Sequence, residues 1–191
     1  ILQKENYSKF DLKINLPGTK ENFIKNIKIP LIGLHNIRNS TAAAAVAFSV
    51  GIPIKIIKKG LEKFSGVQRR FTKVFSFQNV SFFDDYAHHP TEIVEVLDGV
   101  KKVYKNKEII CIFQPHRISR LKNLHEEFSK SFKKADTIIL CPIFKAGENI
   151  KLGFSYNNFA KKIIKNSKVK LILIKNKLDL VKYVQQNIYG N

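Results

Sequence analysis

EIICIFQPHRISRLKNLHEEFSKSFKK, residues 108–134, decides the fold class. Its first six residues are a short apolar run rich in isoleucine, bounded by a charge and by Gln114-Pro115, which reads as a buried strand over 108–113. The next stretch places Leu121, Leu124, Phe128 and Phe132 at helical spacing, so 119–134 reads as one helix. A buried strand, a turn and an amphipathic helix make half of a strand–helix–strand unit.

Working outward, the same alternation repeats. Residues 73–77 and 80–84 read as a strand pair about Gln78-Asn79, and Pro90 opens a helix over 90–104 with Ile93, Val96, Leu97, Val100 and Tyr104 on one face. A strand at 137–140, a helix near 156–165, a strand at 170–174 and a last helix from about 178 follow. This order predicts an α/β fold, a mostly parallel Rossmann-like sheet flanked by helices, with right-handed crossovers. Upstream the pattern differs. Residues 10–16 read as a strand closed by Pro17-Gly18, and 36–50 as a helix whose Ala42-Ala43-Ala44-Ala45 run suits close packing. Pro53 opens a second helix to about Phe64. A boundary is placed near Gln68, giving domains 1–68 and 69–191. The first is expected to lack the sheet it would pack on and to be the less stable part. The chain begins at Ile1, contains no methionine and ends after a helix, so it reads as cut at both ends.

Lys+Arg 34 against Asp+Glu 15 gives a formal net charge of +19. That balance admits nucleic acid, anionic surfaces or anionic small substrates as partners. The lysines are scattered without a block, and no aromatic-plus-basic signature of an RNA-binding fold is present, so solvated lysine faces explain them better than specific nucleic-acid binding. Only Arg38, Arg69, Arg70, Arg117 and Arg120 are arginines, and all lie in polar, motif-like stretches suited to bidentate anion recognition. No apolar run is long enough for a membrane span. Cys111 and Cys141 lack a nearby cysteine partner and read as buried free thiols.

Ligands of such a sheet bind beyond the carboxyl ends of its strands. DDYAHHP (84–90) and QPHRISR (114–120) are two βα turns in that position, raising two carboxylates, three histidines and two arginines onto one rim. Blander readings exist: the aspartates could cap the next helix, and His125 reads as a packed, hydrogen-bonded histidine. Adjacent His88 and His89 lack helical metal-ligand spacing, so no metal site is assigned. Arg117 and Arg120 share a helix face if the helix has begun, where two cations at an N-terminus oppose the dipole unless an anion joins them. Upstream, GLHNIRN (33–39) opens a helix with Asn36 as N-cap, and Asn39 adds a second amide one turn on. No glycine-rich phosphate loop occurs.

Together GLHNIRN (33–39), GVQRRF (66–71), DDYAHHPTE (84–92), FQPHRISR (113–120) and AGE (146–148) resemble, in order and separation, the Mur ligase family. The murein-tripeptide-recycling branch shares an Asp-Asp-aromatic-Ala-His-His-Pro segment but lacks an FQPHRxSR stretch, so FQPHRISR (113–120) favours the alanine-adding branch. The resemblance implies that 1–68 is the end of a central ATP-binding domain and that 69–191 is most of the C-terminal domain. It implies ATP and Mg2+ as cofactors, with metal ligands mainly in a central-domain part outside this chain, and UDP-N-acetylmuramate and L-alanine as substrates joined in a bacterial cytoplasm. It also implies roles: His35, Asn36 and Asn39 on the adenine side, Arg70 reaching ATP, and Asp85 holding the ribose. Tyr86, His88, Arg117 and Arg120 would face the muramoyl and alanine groups, with His88, Arg117 and Arg120 catalytic. Without a P-loop, this chain alone is expected to be inactive. A nucleic-acid module and a metal-dependent hydrolase are the competing classes. The loop 145–148 receives no role, because Phe144-Lys145 departs from the family pattern.

Overall fold

A computed structural model describes residues 1–15, 17–18, 20–148 and 155–187. The chain divides into two compact units: Ile1–Arg70 with Asp98–Lys105, and Phe71–Leu97 with Asn106–Asn191.

The first unit carries its own antiparallel sheet, β1 (Leu2–Lys4), β2 (Tyr7–Ile14) and β3 (Asn22–Ile29). On β2 alternate residues Ser8, Phe10, Leu12 and Ile14 are buried, the signature of a strand with one wet face. On β3 the alternation skips: Ile24, Ile27 and Ile29 face inward because a bulge lies between the pairs Phe10↔Ile27 and Leu12↔Ile24. Asn26 is the left-handed residue there (φ 56), and its N–H donates to Asp11 Oδ1 at 2.6 Å. Helices α1 (Leu34–Ser49) and α2 (Ile54–Lys63) bury Ile37, Ala44 and Ile57 in the same core. The expectation that these residues lack a sheet is therefore corrected. The alanine run is corrected too: only Ala44 is buried, while Ala42 and Ala43 are exposed. Gly51 (φ 83) ends α1, its N–H on Phe48 O and that of Ile52 on Ala47 O, a Schellman pairing.

In the second unit β4 (Thr72–Phe77) and β5 (Val80–Asp84) form the expected antiparallel pair. Helix α3 (Pro90–Val103) follows, its residues from Asp98 onward belonging to the first unit. The strands β6 (Ile110–Phe113), β7 (Thr137–Leu140) and β8 (Lys170–Leu173) form the parallel sheet in the order 6-7-8, with all four residues of central β7 buried. Phe128 and Phe132 pack on Phe113 with ring centroids 5.8 and 5.1 Å away, and each such buried side chain contributes about 1.5–3 kcal/mol. Helices α6 (Tyr156–Ser167) and α7 (Lys177–Asn187) complete the alternation. The predicted helix 119–134 is instead two, α4 (Ile118–Asn123) and α5 (His125–Lys130), broken at Leu124 (φ −115, ψ 23). At the break His125 Nδ1 sits 3.0 Å from Lys122 O, and at the far end of α5 the Ser129 and Ser131 hydroxyls donate to Glu126 O and Glu127 O. Such side-chain bonds compete with helix continuation. His125 keeps the expected hydrogen bond at Lys122 O, but with its side chain 40% exposed it is not packed. No described helix is long and apolar enough to cross a membrane.

Candidate active site

The turn between β5 and α3 is organised by two carboxylates. Asp85 Oδ2 accepts the Phe71 N–H at 2.8 Å and its Oδ1 accepts the Ala87 N–H at 2.7 Å. Asp85 thus shapes the turn rather than capping α3. The cap is Glu92, whose Oε2 accepts the N–H groups of His88 (2.9 Å) and His89 (3.2 Å). These bonds leave His88 with its Nδ1 3.0 Å from Tyr86 O and 3.4 Å from Glu92 Oε2, while the Tyr86 and His88 rings meet edge-on at 5.3 Å.

The turn between β6 and α4 is laced to the loop after β7. Gln114 Nε2 donates to Pro142 O (3.2 Å), Phe144 N–H to Pro115 O (2.8 Å) and Arg117 N–H to Phe144 O (2.9 Å). The His116 and Phe144 rings lie 5.3 Å apart. Arg117 is the residue before α4, held at φ 69 and ψ 128, so it does not share a helix face with Arg120 as expected. A non-glycine residue held there is strained and persists only where its surroundings fix it. Arg117 is exposed and Arg120 half-buried, and Arg120 Nη1 is buried without a hydrogen-bond partner among the described residues. His116 lies among these cations. Burial lowers its pKa from the ordinary 6.5, and Arg120, Arg117 and His88 push it further down against an opposing pull from Glu148. Arg117 and Arg120 therefore form a cationic neighbourhood around His116, with His88 beside it, an arrangement suited to oxyanions.

The remaining residues named from sequence lie in the first unit. Helix α1 starts two residues earlier than expected, with Gly33 (φ 90, ψ 142) as its N-cap. Asn36 is inside the first turn, its Nδ2 donating to Ile32 O at 2.7 Å. Asn39 is exposed on the same helix. The His35 ring covers Gly33, where a Cβ would stand 2.6 Å from His35 Cε1. Arg70 is exposed, and its N–H donates to Val67 O at 3.2 Å. Sequence reasoning gave no role to His116, Ser119, Glu92 or Glu148. Glu92, three residues after His89 and just inside a helix, carried a legible capping signal. Glu148 lies 29 residues from its partner Ser119 and carried none.

Cys111 and Cys141 are free thiols. Cys111 is half-buried as a residue, yet burial, with Cys141 beside it, pushes its thiol up to about 12. Among the described residues no three His, Cys, Asp or Glu side chains gather to hold a metal ion.

Of the two βα turns expected on one parallel-sheet rim, only that after β6 belongs to the parallel sheet, while that after β5 leaves the antiparallel β4–β5 pair. Residues 69–189 match the Mur ligase, glutamate ligase domain, and the chain belongs to that family. It is 63% identical over 190 residues to the UDP-N-acetylmuramate–L-alanine ligase of Pelagibacter ubique, covering 100% of this chain and 41% of that protein. The enzyme of the same name from Bartonella tribocorum is 44% identical over 73% of this chain and 29% of its own length. The solved UDP-N-acetylmuramate-alanine ligase of Thermotoga maritima superposes with a TM-score of 0.66 at 28% identity, covering 83% of this chain and 33% of that one. The chain thus spans well under half the length of these relatives.

Proposed function

We propose that the protein carrying this segment is an ATP-dependent ligase that joins L-alanine to the carboxylate of UDP-N-acetylmuramate in cytoplasmic peptidoglycan synthesis. The observation that carries the reading is the pair Arg117 and Arg120 gathered around His116 with His88 beside them, with a buried Arg120 nitrogen awaiting an acceptor. The names of the relatives supply the particular substrates.

Amide formation of this kind needs the carboxylate activated, as an acyl phosphate formed with ATP, before the amine attacks. Negative charge grows on oxygen in both steps, and prearranged cations lower its energy. Arg117 and Arg120 hold the carboxylate and phosphoryl oxygens, for which planar guanidinium forks are suited. His88, fixed by the backbone at Tyr86 and by Glu92, orients toward the same oxygens, and Tyr86 lines the substrate side. His35, Asn36 and Asn39 serve the adenine, Arg70 the phosphates and Asp85 the ribose. Each Asp85 oxygen keeps a lone pair after its backbone bond and can still accept from a hydroxyl. Mg2+ belongs to this reading, but among the described residues no three His, Cys, Asp or Glu side chains gather to hold it. Residues 1–68 serve as the end of the ATP-binding domain and 69–191 as most of the C-terminal domain, and since these residues include no P-loop to hold the γ-phosphate, the 191-residue chain alone turns over no ATP.

The test is direct. The full-length protein, given UDP-N-acetylmuramate, L-alanine, ATP and Mg2+, forms UDP-N-acetylmuramoyl-L-alanine and ADP one for one. Product with a peptide in place of alanine, or no product with either, overturns the assignment.

A further inference from the structure

We infer that Glu148 is a positioning residue for the anion-binding arginines, acting through Ser119. This rests on the ligase reading of the site. Ser119 lies between Arg117 and Arg120 in the first turn of α4, and Glu148 holds it twice. Its Oε2 accepts the Ser119 N–H at 3.0 Å and its Oε1 the Ser119 hydroxyl at 2.5 Å. The Ser119 hydroxyl first, and then the Ser119 backbone, hold the Glu148 carboxyl below its ordinary range, so it remains a charged acceptor.

The loop is built to deliver that carboxylate. Ala146 (φ 53) and Gly147 (φ 82) are consecutive left-handed residues, and the turn closes with Glu148 N–H on Lys145 O at 3.1 Å. Two left-handed residues inside a hydrogen-bonded turn reverse the chain tightly. A left-handed alanine is unfavourable by itself and persists where the surroundings select it. Arg117 at φ 69 is a second strained residue, tied through its N–H to Phe144 O in the same loop. The loop therefore grips the arginine turn at both sides of Arg117, by backbone at Phe144 and by side chain at Glu148. A fixed anion at Ser119 also lies in the field of Arg117 and offsets part of the positive charge there. Losing it lets Arg117 and Arg120 splay, which weakens capture of a carboxylate or phosphoryl group without touching it directly.

The full-length protein tests this with Glu148→Ala, Glu148→Gln, Ser119→Ala and the double variant Glu148→Ala/Ser119→Ala, each checked for folding by its melting temperature. Glu148→Ala raises the KM for UDP-N-acetylmuramate about 10-fold or more and leaves the KM for ATP within about twofold. Glu148→Gln, which still accepts from Ser119, recovers part of the loss. The double variant is no worse than the worse single one, as residues acting through one contact require. An unchanged KM in folded Glu148→Gln and Glu148→Ala, or an equal loss for every substrate that merely follows the melting temperature, overturns the inference. If the wild-type protein makes no alanyl product, the ligase reading fails separately. Inorganic phosphate titrated into arginine-labelled protein then decides: Glu148→Ala weakens phosphate binding at Arg117 and Arg120 about fivefold or more, and equal affinity rejects the role.

Discussion

A Cβ placed on Gly99 would stand 3.1 Å from the Cα of Gly33, so α3 and the start of α1 meet at two glycines. Gly33 also needs its φ of 90, and any Cβ there meets the His35 ring at 2.6 Å. Gly33→Ala is expected to lose about 1–3 kcal/mol. Gly99→Ala in an open helix would gain about 1 kcal/mol, but here contact with rigid backbone reverses the sign. Urea midpoints of the two variants check both; a stabilised Gly99→Ala would contradict the close approach.

The seam between α5 and α6 depends on a buried hydroxyl. Ser167 Oγ donates to Ser129 O at 2.7 Å and accepts the Phe132 N–H at 3.3 Å. Ser167→Ala strands a buried carbonyl and a buried N–H, an expected loss of about 1–3 kcal/mol. The nearby Lys162–Glu126 pair is half-exposed, and Lys162→Ala is expected to matter far less. Equal losses in thermal melts would reject this ordering.

The parts legible in the sequence were those where local pattern and tertiary role agree. Strand β7 is a short apolar run because a central parallel strand is buried on both faces. The equally apolar β6 read as a buried strand too, but it lies at the sheet edge and buries only Phe113, with Ile112 exposed. Pro90 and Pro115 marked the two βα turns that carry the site. Strand β3 escaped because the bulge at Asn26 breaks its period of two. Asn36 read as the cap because composition favours it, whereas the left-handed backbone at Gly33 starts the helix earlier. The continuous helix over 119–134 failed at Leu124, since apolar spacing persists across a break that backbone geometry makes. In the site, residue types at the turns were readable. The grip of Glu148 on Ser119 was not, because a loop far along the chain supplies it.

His116 gives a pH signature. Its folded pKa lies below the ordinary 6.5, so the unfolded chain binds the proton more tightly. Stability from this group is full above 6.5 and falls as pH drops from there through the folded value. Glu148, also lowered, adds its own loss further into acid, below the ordinary 4.5, as it protonates. Burial is the largest cause at His116, but Arg120 comes next. Arg120→Ala and added phosphate should therefore each raise the His116 pKa in an NMR titration. A midpoint that moves in neither case would remove His116 from the cationic cluster.

Arg120 decides the function. If its buried Nη1 takes a carboxylate or phosphoryl oxygen, Arg120→Ala removes a charge-assisted bond worth about 1.5–3 kcal/mol. That is roughly a 10- to 150-fold loss in kcat/KM for alanine ligation by the full-length protein. Arg120→Lys should recover only part of it, because a point charge cannot reproduce a planar fork. ATP affinity should hold, since His35, Asn36, Asn39, Arg70 and Asp85 are the residues assigned to the nucleotide. A purely structural arginine predicts the opposite pattern, a lower melting temperature with kcat/KM intact below it. Steady-state kinetics and melting curves on the same preparations separate the two. A folded Arg120→Ala enzyme with undiminished kcat/KM for alanine and the UDP-sugar would take Arg120 out of the active site.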